Sequence, residues 1–324
     1  MARHDASPSA IEAAARHLRA GELVAFPTET VYGLGADALN PEAAARIFAA
    51  KERPSFDPLI CHVASPDAVG AVAAEFPAGA ARLASALWPG PLTLILPKRP
   101  EVPDLVTSGQ PTVGVRVPAH PVARALLEDF GGPVAAPSAN RFGAVSPTTA
   151  EHVVQGLGDR VGFVLDGGPC AVGVESTIIA ALPGAPLRLL RPGGIPLEAL
   201  EALAGPIEVP PPTAFPGAAP GRFARHYAPG ARLVIADAVP AGLPEGTRVG
   251  RLAFDAEPEG DHQACFVLAP GGQLEEAAQR LFAGLRALDA EGLDLIVAEP
   301  VPETGLGRAI MDRLRRAEAA GREP

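Results

Sequence analysis

The chain reads as α/β or α+β, with a twisted, mixed sheet in a large first part and a small open α/β unit after it. Three features predict this. Helix-start signals and apolar strand-like runs alternate through residues 1–204 without the regular beat of βαβ units. The segment 205–221, GPIEVPPPTAFPGAAPG, then interrupts the pattern with prolines that lack an amide donor and resist pairing, as an extended connector does. Beyond it the alternation resumes as three strands, a helix, a strand and a helix.

The helices announce themselves by capping residues followed by proline: Ser7-Pro8, Asn40-Pro41 and Ser65-Pro66. The pattern predicts helices at 8–20, 41–50, 66–76, 120–130, 148–157 and 196–204, with Ser146 as a turn or capping residue ahead of the fifth. Strand-like runs lie at 23–26, 58–64, 92–97, 113–117, 133–136, 162–166, 176–181 and 187–190. After the connector, strands are expected at 232–236, 248–254, 265–268 and 293–297, and helices at 273–290 and 306–319. The predicted division is therefore 1–207, a linker at 208–230, and 231–324.

Composition excludes several classes. The 324 residues carry 27 basic and 37 acidic groups, a net charge of −10, and 48% are apolar, enough for a sizeable core. Residues 1–207 hold 15 basic and 20 acidic groups, and the remainder hold 12 and 17, so neither part is a basic nucleic-acid platform. Cys61, Cys170 and Cys265 are odd in number and far apart, which implies neither a disulfide framework nor a zinc site. The N-terminus lacks a signal-peptide core, and no run of apolar residues is long enough to span a bilayer, so a soluble, cytoplasmic protein is expected. The sequence contains no GxSxG, Walker A or HExxH motif.

Polar residues concentrate where apolar strands end. Thr28, Glu29, Thr30 and Tyr32 leave the first strand, and strand alternation would place Thr28, Thr30 and Tyr32 on one side. A Thr/Gly-rich turn and a ligand mouth fit this run equally well. Gly33–Ala38 matches GxGxxA, but the next helix start, Asn40-Pro41, comes too late to aim a helix at a pyrophosphate. Lys51 and Arg53 stand at a helix-to-loop junction closed by Pro54, where cations can complement the helix dipole or clamp a phosphate. Only two of the 27 basic residues are lysines, which favours a specific role for Lys51. His62, inside an apolar strand, reads first as a core residue. Arg116 shares the strand TVGVR with valines facing the other way, so its guanidinium demands an anion, either a protein carboxylate or a substrate group. Ser138, Asn140, Ser146, Ser176 and Arg191 complete a polar ring at strand ends. With no evident nucleophile or metal cage, such a site works by orientation and charge stabilisation.

Taken together, FPTETVYGLG, KxRPxxxPL, the set Lys51, Arg53, Ser138 and Asn140, and VESTII followed by LLRPG resemble the YrdC-type domain. PGRFARHYAP at 220–229 and the ending GLGRAIMDRLRRA resemble the long, two-domain threonylcarbamoyl-AMP synthases. The resemblance implies a YrdC-like twisted mixed sheet followed by a small Rossmann-like open α/β domain. It implies synthesis of L-threonylcarbamoyladenylate from ATP, L-threonine and bicarbonate or CO2, with Mg²⁺ carried by ATP. The product would pass to tRNA threonylcarbamoyl-transferase proteins. Thr30, His62, Arg116, Ala136 and Ser176 would hold threonine and its carbamate, with Arg116 on the carboxylate. Arg53, Asp57, Thr112, Ser138, Ser146 and Arg191 would hold ATP, with Lys51 near its phosphates, Asn140 in support and Tyr227 closing over the nucleotide. Lys51, Arg53 and Arg116 would carry the chemistry.

Two positions depart from the family pattern. Asp57 stands where the family commonly has Asn, adding a charge at an ATP contact. Ala219 replaces the usual Ser of the linker. The alternative of an RNA-binding YrdC-like module lacks a basic stripe. A carbamoyl-phosphate enzyme of hydrogenase maturation would need zinc and acylphosphatase segments that this sequence lacks. Neither a membrane partner nor strong stand-alone nucleic-acid binding is expected.

Overall fold

The computed structural model describes residues 2–211, 214, 220 and 226–321. The first ten strands are β1 (Ala2–Asp5), β2 (Val24–Phe26), β3 (Gly33–Asp37), β4 (Ile60–His62) and β5 (Leu92–Pro97), then β6 (Thr112–Arg116), β7 (Val134–Ala135), β8 (Phe163–Asp166), β9 (Thr177–Ala180) and β10 (Arg188–Arg191). They form one sheet in the order β1-β8-β2-β3-β7-β4-β6-β5-β9-β10. Parallel pairs such as β4/β6 and β5/β9 alternate with antiparallel ones such as β5/β6 and β9/β10, so the sheet is mixed. A second, four-stranded sheet is all parallel: β11 (Arg232–Ile235), β12 (Val249–Ala253), β13 (Ala264–Val267) and β14 (Leu295–Ala298), in the order β11-β14-β12-β13.

Local chemistry explains most boundaries. Ser7 Oγ accepts from the Ala10 amide and Asn40 Oδ1 from those of Glu42 and Ala43, each with proline at the first helical position, so helices start at Pro8 and Pro41. Ser65 makes no such bond, and the segment after it is only a 3₁₀ turn, Pro66–Ala71, not a helix to 76. The fifth expected helix begins at Ala150, capped by Thr149 rather than by Ser146. Helices at Ala78–Leu87 and Asp104–Thr107, and the strands β1 and β3, add to the expected list. β3 contains the glycines of the GxGxxA match; no helix opens there, which removes the dinucleotide reading. Nor do Thr28, Thr30 and Tyr32 lie in a strand. Thr28 and Thr30 hydroxyls meet at 2.8 Å, while Tyr32 turns away and donates to the Gly168 carbonyl.

The main core packs Val113, Val115 and Val117 with the aliphatic side chains of the flanking helices. On the opposite face of the same strands Ile60, Ile95 and Ile178 form a smaller cluster. A second core fills the space between the four-stranded sheet and the helices Leu274–Ala290 and Gly307–Ala320. It also takes in Val31, Val145, Val174 and Tyr227, so the two parts share one apolar interior. No helix among the described residues is long and apolar enough to cross a membrane.

Candidate active site

The cleft opens on the sheet face that the valines of β6 leave free. Parallel pairing puts His62 and Arg116 side by side at the ends of β4 and β6. Ser176, just ahead of β9, shares a 2.7 Å hydrogen bond with Thr93 of β5. Thr28 and Thr30 come from the turn after β2, Ala136 and Ser138 from the exit of β7, Arg191 from the end of β10, and His226 and Tyr227 from the linker. The cleft, including its mouth, holds about 520 Å³. Gly193 makes the closure of this wall possible. A Cβ there would lie 2.4 Å from the backbone of Glu175–Thr177, so only glycine lets the turn after Arg191 pack on the strand bearing Ser176.

Nine of the expected site residues line this cleft: Thr30, Arg53, His62, Arg116, Ala136, Ser138, Ser176, Arg191 and Tyr227. Thr112 lines a smaller neighbouring cavity that shares Pro220 with the cleft. Lys51, Asp57, Asn140 and Ser146 stand behind the surface, each buried.

Arg116 has its anion inside the protein. Nη2 donates to Glu29 Oε1 at 2.6 Å, Nη1 to Thr30 Oγ1 at 2.9 Å and Nε to the Gly90 carbonyl at 3.3 Å. Burial opposes the Glu29 charge, but the Arg116 guanidinium outweighs it and holds the carboxyl below its ordinary range. Among the described residues, three of the five guanidinium N–H groups find partners. The two left, one on each terminal nitrogen, form a half-free fork suited to a second carboxylate.

His62 is held neutral. Burial, then the adjacent Arg116 charge, push its pKa down to about 3. Nδ1 lies 3.2 Å from the Ile60 carbonyl, which can only accept, so Nδ1 carries the proton and Nε2 offers a lone pair. A native pKa below the unfolded value means that the unfolded chain binds the extra proton. The His62 contribution to stability is therefore complete above about pH 6.5 and is lost as pH falls toward 3. Melting curves from pH 4 to 8 should show this slope, worth on the order of a few kcal/mol, and His62→Gln should flatten it. An unchanged slope in the variant would contradict the assignment.

The other end of the cleft gathers positive charge. Lys51 is 1% exposed, and its ammonium donates to the backbone carbonyls of Ser138, at 2.6 Å, and Asn140, with no carboxylate partner. Burial, then repulsion from Arg53, lower its pKa well below the ordinary value. Among the described residues Arg191 donates to Ser176 and to the Pro220 carbonyl. Arg53 is paired at 2.8 Å with Asp57, whose charge also acts on Lys51. Burial, then Arg53, Lys51, Arg191 and Arg313, depress the pKa of His226 far below its ordinary value. In a chain of net charge −10, four cations converge on one buried ring. Two of them, Lys51 and Arg191, make no ion pair with a carboxylate among the described residues, the arrangement an anionic ligand would complete. Tyr227 closes this end with a φ of 64°, unusual for a non-glycine residue; its ring stacks on Phe282 and its buried hydroxyl has no partner among the described residues.

Residues 16–193 match the Sua5/YciO/YrdC family described as "Telomere recombination", and residues 195–320 match the "Threonylcarbamoyl-AMP synthase, C-terminal domain". The threonylcarbamoyl-AMP synthase of Pyrococcus abyssi is 44% identical over 95% of this chain and 93% of its own. The chain belongs to the threonylcarbamoyl-AMP synthase family. It is accordingly an enzyme of nucleotidyltransferase type. The Bacillus subtilis relative of the same name is also 44% identical, over 96% of this chain and 93% of its own. The crystal structure of P. abyssi Sua5 complexed with L-threonine superposes with a TM-score of 0.92 at 42% identity, covering 99% of this chain and 98% of that one. The mixed sheet followed by a parallel sheet is thus the fold of the family's two-domain form.

Three residues of this site carried no role in the sequence reading. Glu29 and Glu175 sit inside quoted motifs, but only the fold shows that they neutralise Arg116 and Arg313. Arg313 lies in a charged C-terminal helix on the stripe it shares with Ile310, Leu314 and Ala317, and that spacing is the signal that could have marked it as buried. Among the described residues one group has metal-ligand composition, Glu257, His262 and Cys265. It belongs to the second sheet and its loops, lines no part of the cleft, and already satisfies its histidine through a 3.0 Å contact with Glu257.

Proposed function

We propose that the cleft joins L-threonine, bicarbonate or CO2, and ATP into L-threonylcarbamoyladenylate, releasing pyrophosphate. The observation that carries this reading is the contrast between the two ends of one cleft. One end presents the half-free fork of Arg116 beside Thr30 and His62; the other presents Arg191, with Lys51 behind the wall, neither in an ion pair among the described residues, and Ser176 lies between the two ends. An amino acid suits the first end and a triphosphate the second. The mechanism needs no covalent enzyme intermediate. Arg116 takes the threonine carboxylate, and the lone pair on His62 Nε2 orients a donor of the same substrate. The amine attacks the carbon of CO2 and loses its proton to solvent, or attacks that of bicarbonate, where the C–OH bond breaks and the amine proton leaves with the hydroxide as water. His62 takes no proton, because a histidine with a pKa of about 3 is a poor base. A carbamate oxygen then forms a bond to the α-phosphorus of ATP as the bond to pyrophosphate breaks, with Lys51, Arg53 and Arg191 receiving the developing charge.

Among the described residues the cleft presents no carboxylate left over for magnesium. Glu29, Asp57 and Glu175 are each engaged by an arginine. Mg²⁺ is assigned instead to the phosphate oxygens of ATP, where it offsets their charge. Thr112, in the cavity joined through Pro220, Ser138 on the cleft wall, and Asn140 and Ser146 behind it complete the nucleotide side. Ala136 borders threonine, and Tyr227 covers both. On the same reading the product leaves for tRNA threonylcarbamoyl-transferase proteins in the cytoplasm.

Pyrophosphate release should require ATP, L-threonine and bicarbonate together, each omission returning the rate to background. Release at an equal rate without threonine would overturn the reading.

A further inference from the structure

We propose that Arg313, from the helix Gly307–Ala320, is a positioning residue through which the C-terminal part completes the nucleotide side of the site; this rests on the reading above. Its side chain is fully buried. Nε donates to Glu175 Oε2 at 2.9 Å, and the other oxygen of Glu175 accepts from the Ser146 hydroxyl at 2.6 Å. Nη1 donates at 2.8 Å to the carbonyl of Pro192, the residue after Arg191. The guanidinium carbon lies 5.4 Å from the centre of the Tyr227 ring, within reach of a cation–π contact.

One cation thus holds three pieces that reach the nucleotide end by separate chain routes: the Ser146 turn, the end of β10 and the linker. Glu175 is the relay. Burial opposes its charge, but Arg313 and Arg191 outweigh that and keep it ionised, so it remains an acceptor and fixes the Ser146 hydroxyl as donor. Arg286, from the helix Leu274–Ala290, supports the same turn by donating to the Val145 and Ser146 carbonyls. Among the described residues, Arg116 and His62, the groups that take threonine's charge and donor, receive no contact from either arginine, and Ser176 is reached only indirectly, as the neighbour of Glu175. The C-terminal part therefore acts more on ATP than on threonine.

The test compares Arg313→Met and Arg313→Lys with the full-length parent. Arg313→Met should raise the KM for ATP about tenfold or more and lower kcat, with the KM for threonine within about threefold. Arg313→Lys, which keeps a charge beside Glu175, should recover part of the loss. Adding Ser146→Ala to Arg313→Met should cost less than Ser146→Ala costs alone, because both act on one hydroxyl. Arg313→Met leaves a buried carboxylate unpaired and can fail to fold, so Arg313→Met/Glu175→Gln, which removes both charges, should fold and show the same ATP-selective loss. Equal rises in both KM values, full additivity with Ser146→Ala, or a parental ATP KM in the double variant would overturn the proposal. Equilibrium binding of a non-hydrolysable ATP analogue separates the two readings. Failure of the proposed reaction shows in the parent enzyme, whereas failure of the Arg313 role shows as unchanged analogue affinity in the variants.

Discussion

Arg116→Met should raise the KM for threonine by about 100-fold or more while moving that for ATP by less than about threefold. The magnitude follows from the two N–H groups that the guanidinium keeps free. A bidentate, charge-assisted contact in a desolvated cleft is worth a few kcal/mol, and every 1.4 kcal/mol is about a factor of ten. Truncation has a second consequence. Glu29 would remain buried with only the Ala119 amide as a partner, a loss of about 3–5 kcal/mol in stability. Arg116→Met/Glu29→Gln removes the stranded charge and should restore most of the melting temperature without restoring threonine binding. Arg116→Lys keeps the charge but cannot offer a planar fork, so its threonine KM should fall between the two. Similar changes in both substrates' KM values would refute the carboxylate role.

How much of this was legible in the sequence depends on the range of the forces involved. Capping at Ser7 and Asn40 is local and was read correctly, as were the β6 valines, whose period of two sets a face. β1 escaped because ARHD is short and polar and becomes a strand only by pairing with β8. β3 resembled a phosphate loop because GLGAD has no β-branched residue; it is a strand because β2 and β7 flank it, and Gly35 lies where a Cβ would meet Phe26 at 2.7 Å. Arg116 showed the same limit. Its strand position announced the need for an anion, but nothing local could choose between Glu29 and a substrate, and the fold shows that it can serve both. The burial of Arg313 follows from its place on the stripe of Ile310, Leu314 and Ala317, but its partners Glu175 and Pro192 lie more than a hundred residues upstream and no local pattern names them.

Lys51→Met tests the nucleotide end and should lower turnover by about 100-fold or more, with the melting temperature changed by only a few degrees. Activity and stability separate here because Lys51 is costly to the folded protein. Its ammonium is buried beside Arg53 and, among the described residues, hydrogen-bonds only to carbonyls, so methionine relieves a desolvated charge. The loss of two carbonyl contacts works in the opposite direction, and the two terms largely offset. Turnover has no such compensation, because the charge behind the cleft wall attracts the triphosphate and holds the Ser138 and Asn140 carbonyls of that wall in place. The lowered pKa adds a signature that a structural lysine would not give. As pH rises through the pKa of Lys51, the ammonium becomes neutral and its attraction for phosphate is lost. The ATP KM of the parent enzyme should therefore climb on the alkaline side at a lower pH than an ordinary lysine would allow. In Lys51→Met that climb should be absent. An identical rise in both proteins would assign it to another group and remove Lys51 from the phosphate site.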